Sequence, residues 1–143
     1  MTETQLKIVS LENQMRSHEQ IVIEPKHYLA HGLYAREILI PKGTLLTGKI
    51  HLAEHLNIIS KGDISVMTDE GIKRIKAPAT IISQPGIKRV GYAHEDTVWT
   101  TIHACDETEI DKIEEALVVD SFEEFERRIG AKEEKPCLLL PPQ

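Results

Sequence analysis

From residue 21 to residue 104 this chain never sustains a helical spacing of apolar side chains, and Gly, Pro or Asp interrupts it about every 8–12 residues. Between the interruptions lie short runs rich in Ile, Val, Leu and Thr. Ile21–Ile23 precedes Pro25, and Tyr34–Ile40 is closed by Pro41-Lys42-Gly43. Thr44–His51 and His55–Ile59 follow, then Lys61-Gly62-Asp63, and Ile64–Thr68 runs into Asp69-Glu70-Gly71. Ile72–Lys76, Thr80–Ser83, Lys88–Ala93 and Thr97–His103 complete the series, separated by Ala77-Pro78, Gln84-Pro85-Gly86 and His94-Glu95-Asp96. Strand-length runs at this spacing predict an all-β sandwich or barrel, because each turn residue stops one strand and reverses the chain into the next.

The flanks differ from this body. Residues 1–20 are polar with sparse apolar side chains and read as an N-terminal arm or frayed helix, with Thr2 and Gln5 spaced as a capping box. Residues 105–143 switch period. Asp106 with Glu109 predicts a cap for a helix carrying Ile110, Ile113 and Leu117, and Ser121 with Glu124 caps a second carrying Phe122, Phe125 and Ile129. Lys135–Gln143, rich in Pro and Leu, is expected to be extended. The predicted organisation is therefore an arm (1–20), a β-barrel (21–104), and C-terminal helices with a tail (105–143). Ile21–Ile23, a strand without an obvious partner, and the Phe122/Phe125 face predict a homodimer.

A chain of 143 residues forms one domain with a sizeable core. Seventeen Lys and Arg against 23 Asp and Glu give a net charge of −6, which argues against nucleic acid or an anionic membrane as partner. No apolar run is long enough to span a bilayer, and the first residues do not resemble a secretory signal. Cys105 and Cys137 have no CxxC spacing and read as reduced thiols, so the expected location is the cytoplasm. No Ser–His–Asp order, phosphate loop, dinucleotide fingerprint or zinc knuckle is present.

The chemistry concentrates in Lys49–Gly62. Lys49 and His51 share one face of a strand, and His55, Asn57 and Ile59 share a face of the next. A tight turn between the two strands points His51 and His55 into one interior, where imidazoles suit Fe, Mn, Ni, Zn or Cu. A third ligand is sought at His103 or His94. Parity groups Arg89, Gly91 and Ala93, which turns His94 outward unless a bulge intervenes. It also groups His103 with Trp99 and Thr101, while Val98 and Ile102 compete for the core. Arg89 either stacks on Tyr92, pairs with a protein acid in a structural role, or receives a ligand carboxylate or phosphate in its bidentate fork, and Trp99 is either core or ligand platform. Lys49 is read as a rim charge.

These residues resemble the cupin motifs. The first, G-x5-H-x-H-x3/4-E-x6-G, aligned on Gly62, sets its Glu position on His55 and its two His positions on His51 and Lys49. The second, G-x5-P-x-G-x2-H-x3-N, resembles Gly71–Pro78 followed by Pro85-Gly86-Ile87-Lys88-Arg89, with its metal-binding His position on Arg89. The resemblance covers about residues 34–104 and extends to small uncharacterised cupins of phages and bacteria. It implies a double-stranded β-helix, the jelly-roll barrel, around a pocket. Two of the four ligand positions carry cations, which donate no lone pair, so a metal would rest on His51 and His55 with a third ligand from elsewhere. The implied function is a pocket that binds a divalent transition metal (Fe, Mn, Ni or Zn) and a small anionic molecule through Arg89, assisted by Lys49, Asn57, Tyr92 and Trp99. The alternatives are a metal-free sequestering module and a non-catalytic structural protein of a phage, in which case the location is the host cytoplasm. Enzymes and binders share this pattern.

Overall fold

The computed structural model describes residues 1–134; Cys137 and the Pro/Leu tail read above lie outside them. Helix α1 (Glu3–Met15) is followed by β1 (Lys26–Ala30), β2 (Leu33–Ile40), β3 (Leu45–Thr47), β4 (Ile50–His51), β5 (His55–Lys61) and β6 (Asp63–Thr68). Then come β7 (Gly71–Lys76), β8 (Ala79–Ser83), β9 (Val90–Ala93), β10 (Thr97–Ala104), α2 (Ile110–Leu117), β11 (Val118–Val119) and α3 (Phe122–Glu134). The strands assemble into a five-stranded sheet ordered β1-β2-β10-β5-β8, a four-stranded sheet ordered β3-β9-β6-β7, and the small β11-β4 pair. Every pairing is antiparallel.

The alternation of side chains explains why the two larger sheets stack. Ile40 from β2 packs with Ile64 and Val66 from β6 and Ala93 from β9, so the inner faces of both sheets share one core. Ile38, Leu46, Ile75 and Trp99 border that core. A second cluster, Ile50, Leu52, Val119 and Phe122 with Val9 and Phe125, fastens α1 and α3 to the barrel. Gly62 links β5 to β6 at φ +109°, and a Cβ there would stand 2.4 Å from Thr97 Oγ1 and 2.6 Å from Asp96 O. Only glycine meets both conditions.

Several expectations are corrected. Ile21–Ile23 forms no strand; β1 begins after Pro25, and Ile21 and Val22 are exposed. A β-branched run satisfies strand propensity, but this one has no partner to accept its backbone bonds. The N-terminal segment is a closed helix on its own chain. Thr2 and Gln5 form the capping box, Ile8 is fully buried, and the Glu12 carboxylate holds Lys88 Nζ at 2.8 Å and accepts from Thr47 Oγ1 at 2.7 Å. Gly48 and Lys49 divide the predicted strand 44–51 into β3 and β4. The box at Asp106/Glu109 does not form. Glu109 makes no side-chain cap, and Glu107 Oε1 instead accepts the N–H groups of Thr108 and Glu109. Ser121 caps α3 as read, accepting from Glu124 N. Phe122 and Phe125 are turned inward onto Ile50, Leu52 and Val119, Phe122 buried and Phe125 partly so. Cys105 carries a free thiol, and no helix among the described residues is long and apolar enough to cross a membrane.

Candidate metal and anion site

Three imidazoles meet at one side of the barrel interior. His51 closes β4, His55 opens β5 after a three-residue turn, and His103 arrives near the end of β10. Register settles the parity left open above. Trp99, Thr101 and His103 line the cavity, and Val98 and Ile102 take the outer face. The coordinating nitrogens of His51, His55 and His103 all lie within 4.8 Å of one another. His51 Nδ1 is 2.8 Å from His103 Nε2, and the His55 ring packs against both, its centroid 4.1 Å from that of His51 and 4.4 Å from that of His103.

His55 Nδ1 lies 3.0 Å from the Ala53 carbonyl, an acceptor only, so Nδ1 carries the proton and Nε2 a lone pair. That Nε2 is buried and has no hydrogen-bond partner among the described residues. All three rings are held neutral. Burial, then the neighbouring His55, His103 and Arg89, lowers His51 to about 3. Burial, with His55 beside it, lowers His103 to about 4. Burial also pulls His55 down, partly offset by the Ala53 bond. Neutral imidazoles are the form that ligates a metal. Three neutral imidazole nitrogens gathered within 4.8 Å are the donor type that divalent transition ions take. The donor set therefore fits a divalent transition ion.

His51 and His103 open on a cavity of about 440 Å³ whose apolar walls include Ile38, Ile40, Leu46, Ile64, Val66 and Trp99, and His55 lies behind them. Helix α2 and β11 border it through Ile110, Ile113, Leu117 and Val118. Its polar centre is Asn57, 2% exposed. Asn57 Oδ1 accepts from Trp99 Nε1 at 3.0 Å, and its Nδ2 donates to Ser83 Oγ at 2.6 Å. Ser83 Oγ also accepts from Arg89 Nη2. Arg89 thus lies against the network with its Cζ 6.0 Å from the Trp99 ring centre, and not on Tyr92.

The remaining sequence candidates fall elsewhere. Tyr92 is 43% exposed on the outer face of β9 and lines no part of the cavity, because it alternates with Arg89 and Gly91, which do. It is removed from the ligand set. His94 faces away too, bonded to Ser65 Oγ at 2.6 Å. Lys49 stands at the rim, tied to Glu114 at 2.5 Å and Asp120 at 3.6 Å. Ser83 and the Tyr34–His27 pair, joined at 2.6 Å, were not found by sequence reasoning. Ser83 is the register partner of His55, and Tyr34 that of His103, so strand pairing is the signal that identifies them.

No protein-family model matches the chain, and no curated protein matches it. Solved structures do. A protein from Neisseria meningitidis superposes with TM-score 0.50 and 11% identity, over 66% of this chain and 96% of that one. An RmlC-like cupin from Shewanella frigidimarina superposes with TM-score 0.50 and 19% identity, over 62% and 84%. The chain has the cupin fold.

Proposed function

We propose that the barrel cavity is a binding pocket in which His51, His55 and His103 hold a divalent transition metal and Arg89 receives a small anionic ligand. The observation that carries this reading is the lone pair of His55 Nε2, buried without a partner beside two further imidazole nitrogens. Leaving such an atom unsatisfied costs about 1–3 kcal/mol, and a bound cation removes the cost. When bound, the metal supplies a Lewis acid or oxygen-activating centre. The protein's own residues do the rest. Ala53 O fixes the His55 tautomer, and Asn57 and Ser83 hold Arg89 against the wall. The 2.8 Å contact between His51 and His103 favours a second reading, in which it is simply a hydrogen bond and the pocket works without metal.

Elemental analysis of protein purified without added metal separates the two. The first reading expects a stoichiometric transition metal, lost with chelator and lost in His55→Ala, whose fold circular dichroism reports intact. Restoring Ni, Zn, Mn or Fe(II) at a hundredfold Kd should stabilise the wild type by about 2.7 kcal/mol, and the variant not at all. A metal-free protein whose Tm ignores all four ions establishes the second reading.

A further inference from the structure

We infer that the ligand is a small monocarboxylate with an apolar body, its carboxylate on the free edge of Arg89 and its body against Trp99, Ile38, Ile64 and Val66. This rests on the anion site proposed above and is independent of the metal. Arg89 is the one cation of the inner cavity, since Lys49 is bound by two acids at the rim and Arg36 is exposed at the mouth. Among the described residues no carboxylate lies within salt-bridge reach of Arg89. Arg89 is half-buried, and the one acid that acts on it, Glu70, does so from beyond salt-bridge reach, so a ligand anion would supply the contact partner its guanidinium lacks. Only one Arg89 N–H is committed, to Ser83 Oγ, which Asn57 holds from the other side. The remaining donors form a planar fork that matches a carboxylate. Walls of Ile, Val and Trp accept an apolar body, whereas a dianion such as phosphate would leave charge facing hydrocarbon. About 440 Å³ sets the scale of the molecule, at the small end of ligand pockets.

Isothermal titration of the full chain, chelated and metal-loaded in parallel, tests this with 3-phenylpropanoate, its amide, succinate and inorganic phosphate. The expected result in both forms is binding of 3-phenylpropanoate at least tenfold tighter than the amide, succinate or phosphate. Arg89→Gln should remove at least tenfold of that affinity, and Trp99→Leu should weaken 3-phenylpropanoate more than propanoate. The wild-type comparison of acid with amide needs no variant, so a misfolded substitution does not blunt the test. Equal binding of the amide, preference for phosphate or succinate, or no binding of any probe overturns the inference. The metal assay above is unaffected by those outcomes, so failure of one reading is distinguishable from failure of the other.

Discussion

Glu12→Ala is expected to cost about 3–5 kcal/mol in folding stability, the loss typical of stripping one partner from a buried ion pair. The Lys88 side chain is 4% exposed and its ammonium reaches Glu12 at 2.8 Å. With the carboxylate gone, a desolvated charge and the Thr47 hydroxyl both lose their acceptor. The penalty arises because water cannot replace what the helix supplied. The expectation has a sharp counterpart: Glu12→Met with Lys88→Met, which removes both charges, should recover most of the loss. Urea midpoints at constant m measure all three proteins. If Glu12→Ala unfolds within about 1 kcal/mol of wild type, α1 is not fastened by this pair, and the barrel tolerates its detachment.

That pair also marks where sequence reasoning stops. Strands β2 and β5 to β10 were legible because each is bounded by residues with a mechanical reason to bound it, such as Pro41, Gly62 and Gly71. Ile21–Ile23 misled for the complementary reason: β propensity describes a side chain's preference, while strand formation needs a neighbour with free backbone groups. The helix at α1 and its Thr2/Gln5 box were legible, whereas its packing was not, since nothing local to Glu12 announces a lysine so distant in the chain. At the site, His51 and His55 were visible through spacing alone, whereas the inward turn of His103 depends on the pairing of β10 with β2 and β5. Tyr92 should have been excluded, because the parity that groups Arg89 with Gly91 already turns it outward. Ser83 stayed hidden because its role is defined by facing His55 across a ladder and by sharing Asn57 with Arg89.

In chelated, metal-free protein, stability should fall steeply as pH drops from 7 to 5, before the carboxylates begin to titrate. His51 and His103 bind protons in the folded state only near pH 3 and 4, while in the unfolded chain they do so near 6.5. Between those limits the unfolded state holds more protons, so ΔG of unfolding rises with pH. The contribution is complete above about pH 6.5 and is lost on the way down towards pH 4. Two such groups give a limiting slope of about 2.7 kcal/mol per pH unit, and a loss on the order of 3–4 kcal/mol between pH 7 and 5. Asp63, held low by Arg74, and Glu114, held low by Lys49, also favour the folded state, but their contribution is lost only below the usual carboxylate range. The interval from pH 7 to 5 therefore reports the histidines. Urea unfolding at half-unit steps measures it, and a variant carrying His51→Asn and His103→Asn should flatten the curve there. A wild-type stability that stays level from pH 7 to 5 would mean that the folded protein accepts protons on these rings as readily as the unfolded chain. The three imidazoles would then not be the desolvated, neutral cluster on which both the metal-binding and the metal-free readings of the pocket depend.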